Sequence, residues 1–199
     1  MSFVRSTGFA DPGLDSQRVF RAVMAALACP AQPVALPVSR GLAPPPGLAT
    51  DLAAVLLTLA DFETAIWLDP PAAAKAETGS YLQFHTGARI TSDPLEADFA
   101  VITEPVTMPA LSQFAQGSHD YPDRSATLIV EVDRFLTDDW TLRGPGIDGA
   151  RRFGVAPLPA SFATQWAANT ASFPLGVDMV FVAYGQVAGL PRSTRLVES

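Results

Sequence analysis

The stretch Ala126-Thr127-Leu128-Ile129-Val130-Glu131-Val132 decides the fold. Its apolar centre has no polar alternation, so neither side of the segment is meant for water, and a short β-branched run of this kind reads as a strand covered on both faces. Such a strand belongs in the middle of a sheet with a layer above and a layer below. The rest of the chain must supply those layers.

Upstream, Val19, Phe20, Val23, Met24 and Leu27 recur at helical spacing behind Asp15, which is read as an N-cap, and the helix stops at Cys29-Pro30. Residues 32 to 38 form a short strand that their prolines confine to an edge, and a Pro-rich loop from Arg40 to Gly47 follows. Leu48, Leu52, Val55, Leu56 and Leu59 mark a second helix, which leads into the strand Ala65-Ile66-Trp67-Leu68. A helix from Pro71 to His85, ended by Gly87, feeds a strand from Asp98 to Ile102. Downstream, a short helix is predicted over 109 to 116, a strand over Trp140 to Arg143, and a helix from Pro159 to Ala168. Val177 to Tyr184 and Val187 to Leu190, separated by Gly185-Gln186, read as a hairpin. Helices alternating with strands early and strands clustered late predict an α/β fold, a three-layer arrangement of a mixed sheet with helices on both faces. With no linker or repeat in view, residues 1 to 199 are expected to form one domain, long enough to bury roughly 70% of its unfolded surface.

Composition removes several classes of chemistry. Twenty acidic against 13 basic residues give a net charge of -7, the wrong sign for a general nucleic-acid binder. Lys75 is the only lysine, placed in the Ala-rich stretch Pro71 to Glu77, which argues against Schiff-base catalysis. The Walker A sequence also needs a lysine and is absent, as is the G-x-S-x-G elbow. The single cysteine, Cys29, allows neither an internal disulfide nor a thiolate cluster, points to a reducing compartment, and is expected to pack in apolar surroundings. The uncharged run Ala22 to Ser39 is neither a signal sequence nor a membrane span, because Pro30, Pro33 and Pro37 break it and Asp11 and Asp15 precede it. A cytoplasmic protein with no membrane partner is expected.

No self-contained catalytic set emerges. Only His85 and His119 are available, too few for a histidine-rich metal site, so no metal and no cofactor are assigned. Ser118-His119-Asp120 holds the residue types of a hydrolytic triad, yet adjacent residues cannot build that chain of hydrogen bonds, and the segment reads as a polar loop. His85 near a helix C-terminus serves as a cap or offers a donor to a ligand. Gly144-Pro145-Gly146 after a strand forms a tight turn or a backbone nest for an anion. Asp178 interrupts an apolar run and, if buried, calls for an arginine partner. Arg192 and Arg195, flanking Ser193-Thr194, are the inventory for phosphate, phosphonate or carboxylate recognition. His85, Gly144, Gly146, Asp178, Arg192 and Arg195 are therefore the anion-binding or interface candidates. Trp67, Trp140 and Trp166 are expected as core or interface anchors.

Several of these segments together resemble the PhnH family of the bacterial carbon-phosphorus lyase system. The resemblance is carried by Val55 to Asp61, Trp67-Leu68, Phe84-His85-Thr86, Ala126 to Ile129, Leu142 to Ile147, Phe173 to Asp178 and Pro191 to Thr194. Gln83 stands where the family pattern has a basic residue, and Arg195 where it has histidine. The resemblance implies a pyridoxal-phosphate-transferase-like core that lacks the cofactor. It also implies an accessory, non-catalytic subunit that is a homodimer when isolated. Its partners would be PhnG, PhnI and PhnJ, with PhnL a further candidate, in forming alpha-D-ribose 1-methylphosphonate 5-triphosphate from ATP and methylphosphonate. In that system PhnI is the catalytic component of this step, and PhnJ cleaves the bond later by iron-sulfur radical chemistry. The alternative is a ligand-binding subunit that contributes a triphosphate or phosphonate site at a dimer or subunit interface.

Overall fold

The computed structural model describes residues 6–38 and 40–197. Its elements are helices α1 (Pro12–Ala28), α2 (Thr50–Leu59), α3 (Pro70–Ala73), α4 (Ala76–Thr86) and α5 (Phe162–Ala171). The strands are β1 (Val34–Ala35), β2 (Ala65–Leu68), β3 (Arg89–Thr91), β4 (Phe99–Ile102), β5 (Thr127–Glu131), β6 (Arg134–Arg143), β7 (Arg151–Ala156), β8 (Asp178–Ala183), β9 (Gln186–Leu190) and β10 (Arg195–Val197). Seven strands form one sheet in the order β1-β9-β8-β5-β4-β2-β3, so the segment that opened the sequence reading is its central strand. The pairs β3/β2, β2/β4, β4/β5 and β5/β8 are parallel, whereas β9 returns antiparallel beside β8 and β1 closes the edge antiparallel to β9. The sheet is mixed.

Alternation along each strand builds the two cores. Ile66, Leu68, Val101, Ile129, Val180 and Val182 face a layer contributed by α1, α2 and α4, including Val19, Val23, Leu52, Leu56 and Leu82. Their sequence neighbours Trp67, Ala100, Ile102, Leu128, Val130, Met179 and Phe181 face the other way, against Phe162 and Trp166 of α5 and against Leu142, Phe153 and Val155. Fully burying a side chain such as Phe181 or Ile129 contributes about 1.5–3 kcal/mol, so strands this densely apolar hold both layers to the sheet.

The second layer contains what the sequence reading did not foresee, a three-stranded antiparallel sheet in the order β10-β6-β7. The strand predicted at Trp140 to Arg143 is the end of the ten-residue β6, and the tail after Thr194 is not a loose segment but β10. Thr137, Asp138 and Asp139 are exposed in a row where the β6/β7 register shifts between Leu136 and Trp140, and this irregularity masks the periodicity of the strand.

Other expectations need correction. The N-cap of α1 is Asp11, whose carboxylate accepts from the Leu14 N–H at 3.1 Å; Asp15 lies in the first turn, buried, and accepts the Asp11 N–H. Pro12 at the first helical position moves the start upstream. Phe20 and Met24 of that helix are exposed, 45% and 38%, so its core stripe is narrower than the spacing implied. The helix expected over Pro71 to His85 breaks into α3 and α4 at Lys75, whose extended backbone starts a new helix. The segment 109 to 116 holds only a 3₁₀ turn, Leu111–Gln113, because the Gln116 amide donates to the carbonyls of Leu111 and Phe114. The helix expected at Pro159 to Ala168 lies three residues further on as α5. The hairpin turn is Tyr184-Gly185, both at positive φ, rather than Gly185-Gln186. Cys29 is exposed and not packed. Ser39, the end of the uncharged run, lies outside the described residues, and no helix among the described residues is long and apolar enough to cross a membrane.

Candidate functional site

Asp178 opens β8 beside the central strand, where the chain must leave α5 and enter the sheet. The approach is fixed by Asn169 of α5, buried, whose amide donates to the Val177 carbonyl at 3.0 Å and accepts the Val177 N–H at 2.8 Å. Both polar ends of that side chain are satisfied, so the register of β8 is held by α5. From this position the Asp178 carboxylate meets Arg192, which follows β9. The Arg192 backbone N–H donates to Oδ1 at 2.7 Å, Nε donates to Oδ1 and Oδ2 at 3.1 and 3.2 Å, and Nη2 reaches Oδ2. The arginine partner required by the sequence argument is present.

That pairing removes Arg192 from the list of free anion binders. Its Nη1 donates to the carbonyls of Pro122 and Pro174 at 2.9 and 3.3 Å, and Nη2 also donates to Ser125 Oγ. The five guanidinium donors are thereby engaged. Arg192 is a structural cross-link that ties the loop before β5 and the loop before β8 to the end of β9.

Beside this node lies a notch of about 330 Å³ lined by Arg143, Gly144, Pro145, Thr170, Phe173, Arg192, Ser193 and Arg195. Arg195 of β10 is the direct antiparallel partner of Arg143 of β6. Like charges opposite one another on a sheet repel, yet among the described residues neither guanidinium has an ion-pair or side-chain hydrogen-bond partner. Gly144 is needed for close approach here, since a Cβ would sit 2.9 Å from the Ser193 carbonyl oxygen. Trp166, fully buried, donates from Nε1 to the Thr194 carbonyl at 2.8 Å and anchors the same segment to α5.

The remaining candidates fall elsewhere. The turn at Gly144-Pro145-Gly146 is closed by the Ile147 N–H donating to the Gly144 carbonyl at 3.1 Å. Gly146 packs against α1, where a Cβ would meet the Ala28 carbonyl oxygen at 2.1 Å, so it does not line the notch. His85, in the last turn of α4, stacks on Tyr81 at 4.5 Å between ring centres and abuts Gly8. It makes no side-chain hydrogen bond among the described residues, so it is not a cap, and desolvation holds its pKa below the ordinary value. Burial pushes the neighbouring Tyr81 hydroxyl up to about 12, and that hydroxyl donates to the Thr7 carbonyl. His119 sits in an exposed loop.

The sheet also has a crevice where open α/β folds usually hold ligands, outside the carboxyl ends of the parallel strands at the point where strand order reverses. Here the reversal falls between β2 and β4. It is bridged by buried Asp69, which accepts from the N–H groups of Ala72, Thr103 and Glu104 and from the Thr103 hydroxyl. Around it stand Asp51, Glu104, Glu131 and Asp133, with Lys75 the one cation beside them among the described residues. Burial first, and then the charges of Asp51, Asp69 and Asp133, raise the Glu131 pKa. Among the described residues no cluster of His, Cys, Asp or Glu is arranged to hold a metal ion. Sequence reasoning missed both Glu131, hidden inside its apolar strand, and Arg143, whose relation to Arg195 exists only through the β6/β10 pairing.

The comparisons with known proteins span nearly the whole chain. A family described as bacterial phosphonate metabolism protein (PhnH) matches residues 7–197. The chain belongs to the PhnH family. Among curated PhnH relatives, the alpha-D-ribose 1-methylphosphonate 5-triphosphate synthase subunit PhnH of Rhizobium meliloti (strain 1021) is 40% identical over 196 residues, covering 98% of this chain and 96% of the relative. A putative C-P lyase subunit protein HtxG of Stutzerimonas stutzeri is 30% identical over 181 residues, covering 90% of this chain and 85% of the relative.

Proposed function

We propose that this chain is an accessory, non-catalytic subunit of a carbon-phosphorus lyase core complex in phosphonate catabolism, needed for forming alpha-D-ribose 1-methylphosphonate 5-triphosphate from ATP and methylphosphonate. The observation that carries the reading is the near-complete, 40% identical match to a subunit of the synthase of that name. Within the chain the strongest polar cluster, Asp178 with Arg192, holds loops together. The partners in this reading are PhnG, PhnI and PhnJ, with PhnL alongside, and the isolated chain is a homodimer in the cytoplasm. The test is reconstitution of product formation from ATP and methylphosphonate. The chain alone is expected to make no product, and the partner mixture is expected to gain activity when it is added. Product from the isolated chain would contradict the accessory reading.

A second reading, that the subunit also contributes an anion site, is favoured by one observation, the pair of guanidinium groups in the notch that have no ion-pair partner among the described residues.

A further inference from the structure

We propose that the notch between β10, the β6 turn and α5 is a polyphosphate-binding site in which Arg143 and Arg195, not Arg192, hold the ligand. The inference deepens the second reading above and does not depend on the subunit assignment.

The chain carries 13 cationic side chains against 20 acidic ones, yet three of the 13 line this one notch and, among the described residues, no carboxylate does. Asp178 neutralises Arg192, which leaves two positive charges uncompensated among the described residues. Their placement costs stability without a ligand, because Arg143 and Arg195 face each other directly across the strand pair, where Cβ atoms lie about 4.5–5.5 Å apart. An anion between them converts that repulsion into two charge-assisted, fork-shaped contacts.

Geometry narrows the class of anion. Two guanidinium groups side by side match two phosphoryl groups joined by one bridging oxygen better than a single carboxylate, which one arginine already satisfies bidentately. The hydroxyls of Thr170 and Ser193 stand in the same lining and supply further donors. Arg192, locked to Asp178, Ser125 and two carbonyls, forms a rigid wall, and Gly144 lets the backbone of 193–194 approach so that the two strands stay in contact. Phe173, in the same lining, is 61% exposed and offers a flat apolar face beside the arginines. A cavity of about 330 Å³ lined by three arginines and a phenylalanine fits a di- or triphosphate whose organic part lies against the ring. Free polyphosphate shares the chemistry of the arginines only.

The test is calorimetric titration of the full chain with tripolyphosphate, ATP and inorganic phosphate at low ionic strength. Tripolyphosphate and ATP are expected to bind more tightly than inorganic phosphate, with affinity falling as salt is added. Arg143→Ala and Arg195→Ala are each expected to weaken binding about tenfold or more, as loss of a charge-assisted pair does. Both side chains are exposed, so the melting transition should stay in place or rise slightly as the like-charge repulsion is relieved, and show that the variants are folded. Arg89→Ala, which alters an arginine outside the notch, should leave binding unchanged. If ATP exceeds tripolyphosphate and Phe173→Ala removes the difference, the natural ligand is a nucleotide; equal binding assigns the polyphosphate itself. Absence of heat with millimolar ligand, or binding indifferent to both arginine substitutions, would overturn the site. Incorporation of the chain into the complex is measured separately, so failure of the notch and failure of the subunit reading are distinguishable.

Discussion

Replacing Arg192 with methionine leaves the Asp178 carboxylate without a partner, at a position where the two side chains are only 13% and 25% exposed. Removing one member of a buried pair costs about 3–5 kcal/mol, chiefly through the stranded charge, and the residual exposure of Asp178 places the cost near the lower end, about 3 kcal/mol. The carbonyls of Pro122 and Pro174 and the Ser125 hydroxyl lose donors at the same time. Since domains of this kind are stable by about 5–15 kcal/mol, the variant should still fold. Urea unfolding followed by tryptophan fluorescence should show a lower midpoint with an unchanged slope, and melting should fall by about 6–12 °C. Asp178→Asn should cost less, and the double variant should be more stable than the sum of the single losses implies, by about 1 kcal/mol or more. Arg195→Met, in the same notch but unpaired, should stay within about 0.5 kcal/mol. Additive effects of Arg192→Met and Asp178→Asn, or a loss at Arg195 equal to that at Arg192, would refute the cross-link argument.

Three further outcomes follow from the same structure. Gly146→Ala should be destabilised by at least about 2 kcal/mol, because its positive φ and a Cβ at 2.1 Å from the Ala28 carbonyl act together, whereas Gly149→Ala, with open space around it, should lose only about 1 kcal/mol; paired urea titrations check this. Glu131 keeps its proton in the folded chain to a higher pH than in the unfolded chain, so its contribution to stability falls as pH rises through its ordinary value of 4.5 and is gone above its raised one. Glu131→Gln should therefore flatten the stability-pH curve above pH 4.5 and be at least as stable as the parent at pH 7, as measured by chemical denaturation. Exposed Cys29 should react with a chromogenic thiol reagent in the native state, one equivalent per chain, at a rate that denaturant does not greatly increase.

The central strand, the flanking helices and the need of Asp178 for an arginine partner were legible in the sequence because each depends on local pattern or on one chemical requirement, whereas which arginine answers it was not. A strand with a solid apolar centre must be covered on both faces, and an acid opening an apolar strand must find a cation. The small sheet was not legible, since a register shift between Leu136 and Trp140 breaks the alternation of β6 and β10 is three residues long. The candidate site suffered for the same reason. Arg195 was named from its neighbours Ser193 and Thr194, but its partner Arg143 becomes visible only once β10 pairs with β6. Arg192 was named for the wrong task, because sequence shows a guanidinium but not the acceptors that use it up. His85 and Gly146 carried local signals, a helix end and a glycine turn, that packing against the N-terminal segment and against α1 explains without any ligand.

The account stands most directly on whether this chain is built into a larger assembly. Co-expression with PhnG, PhnI and PhnJ subunits, purification through a tag on one partner and mass determination of the eluted species measure this. The account expects a stable complex of defined stoichiometry that contains this chain. Recovery of the partners without it, with the chain found only by itself, would contradict the account.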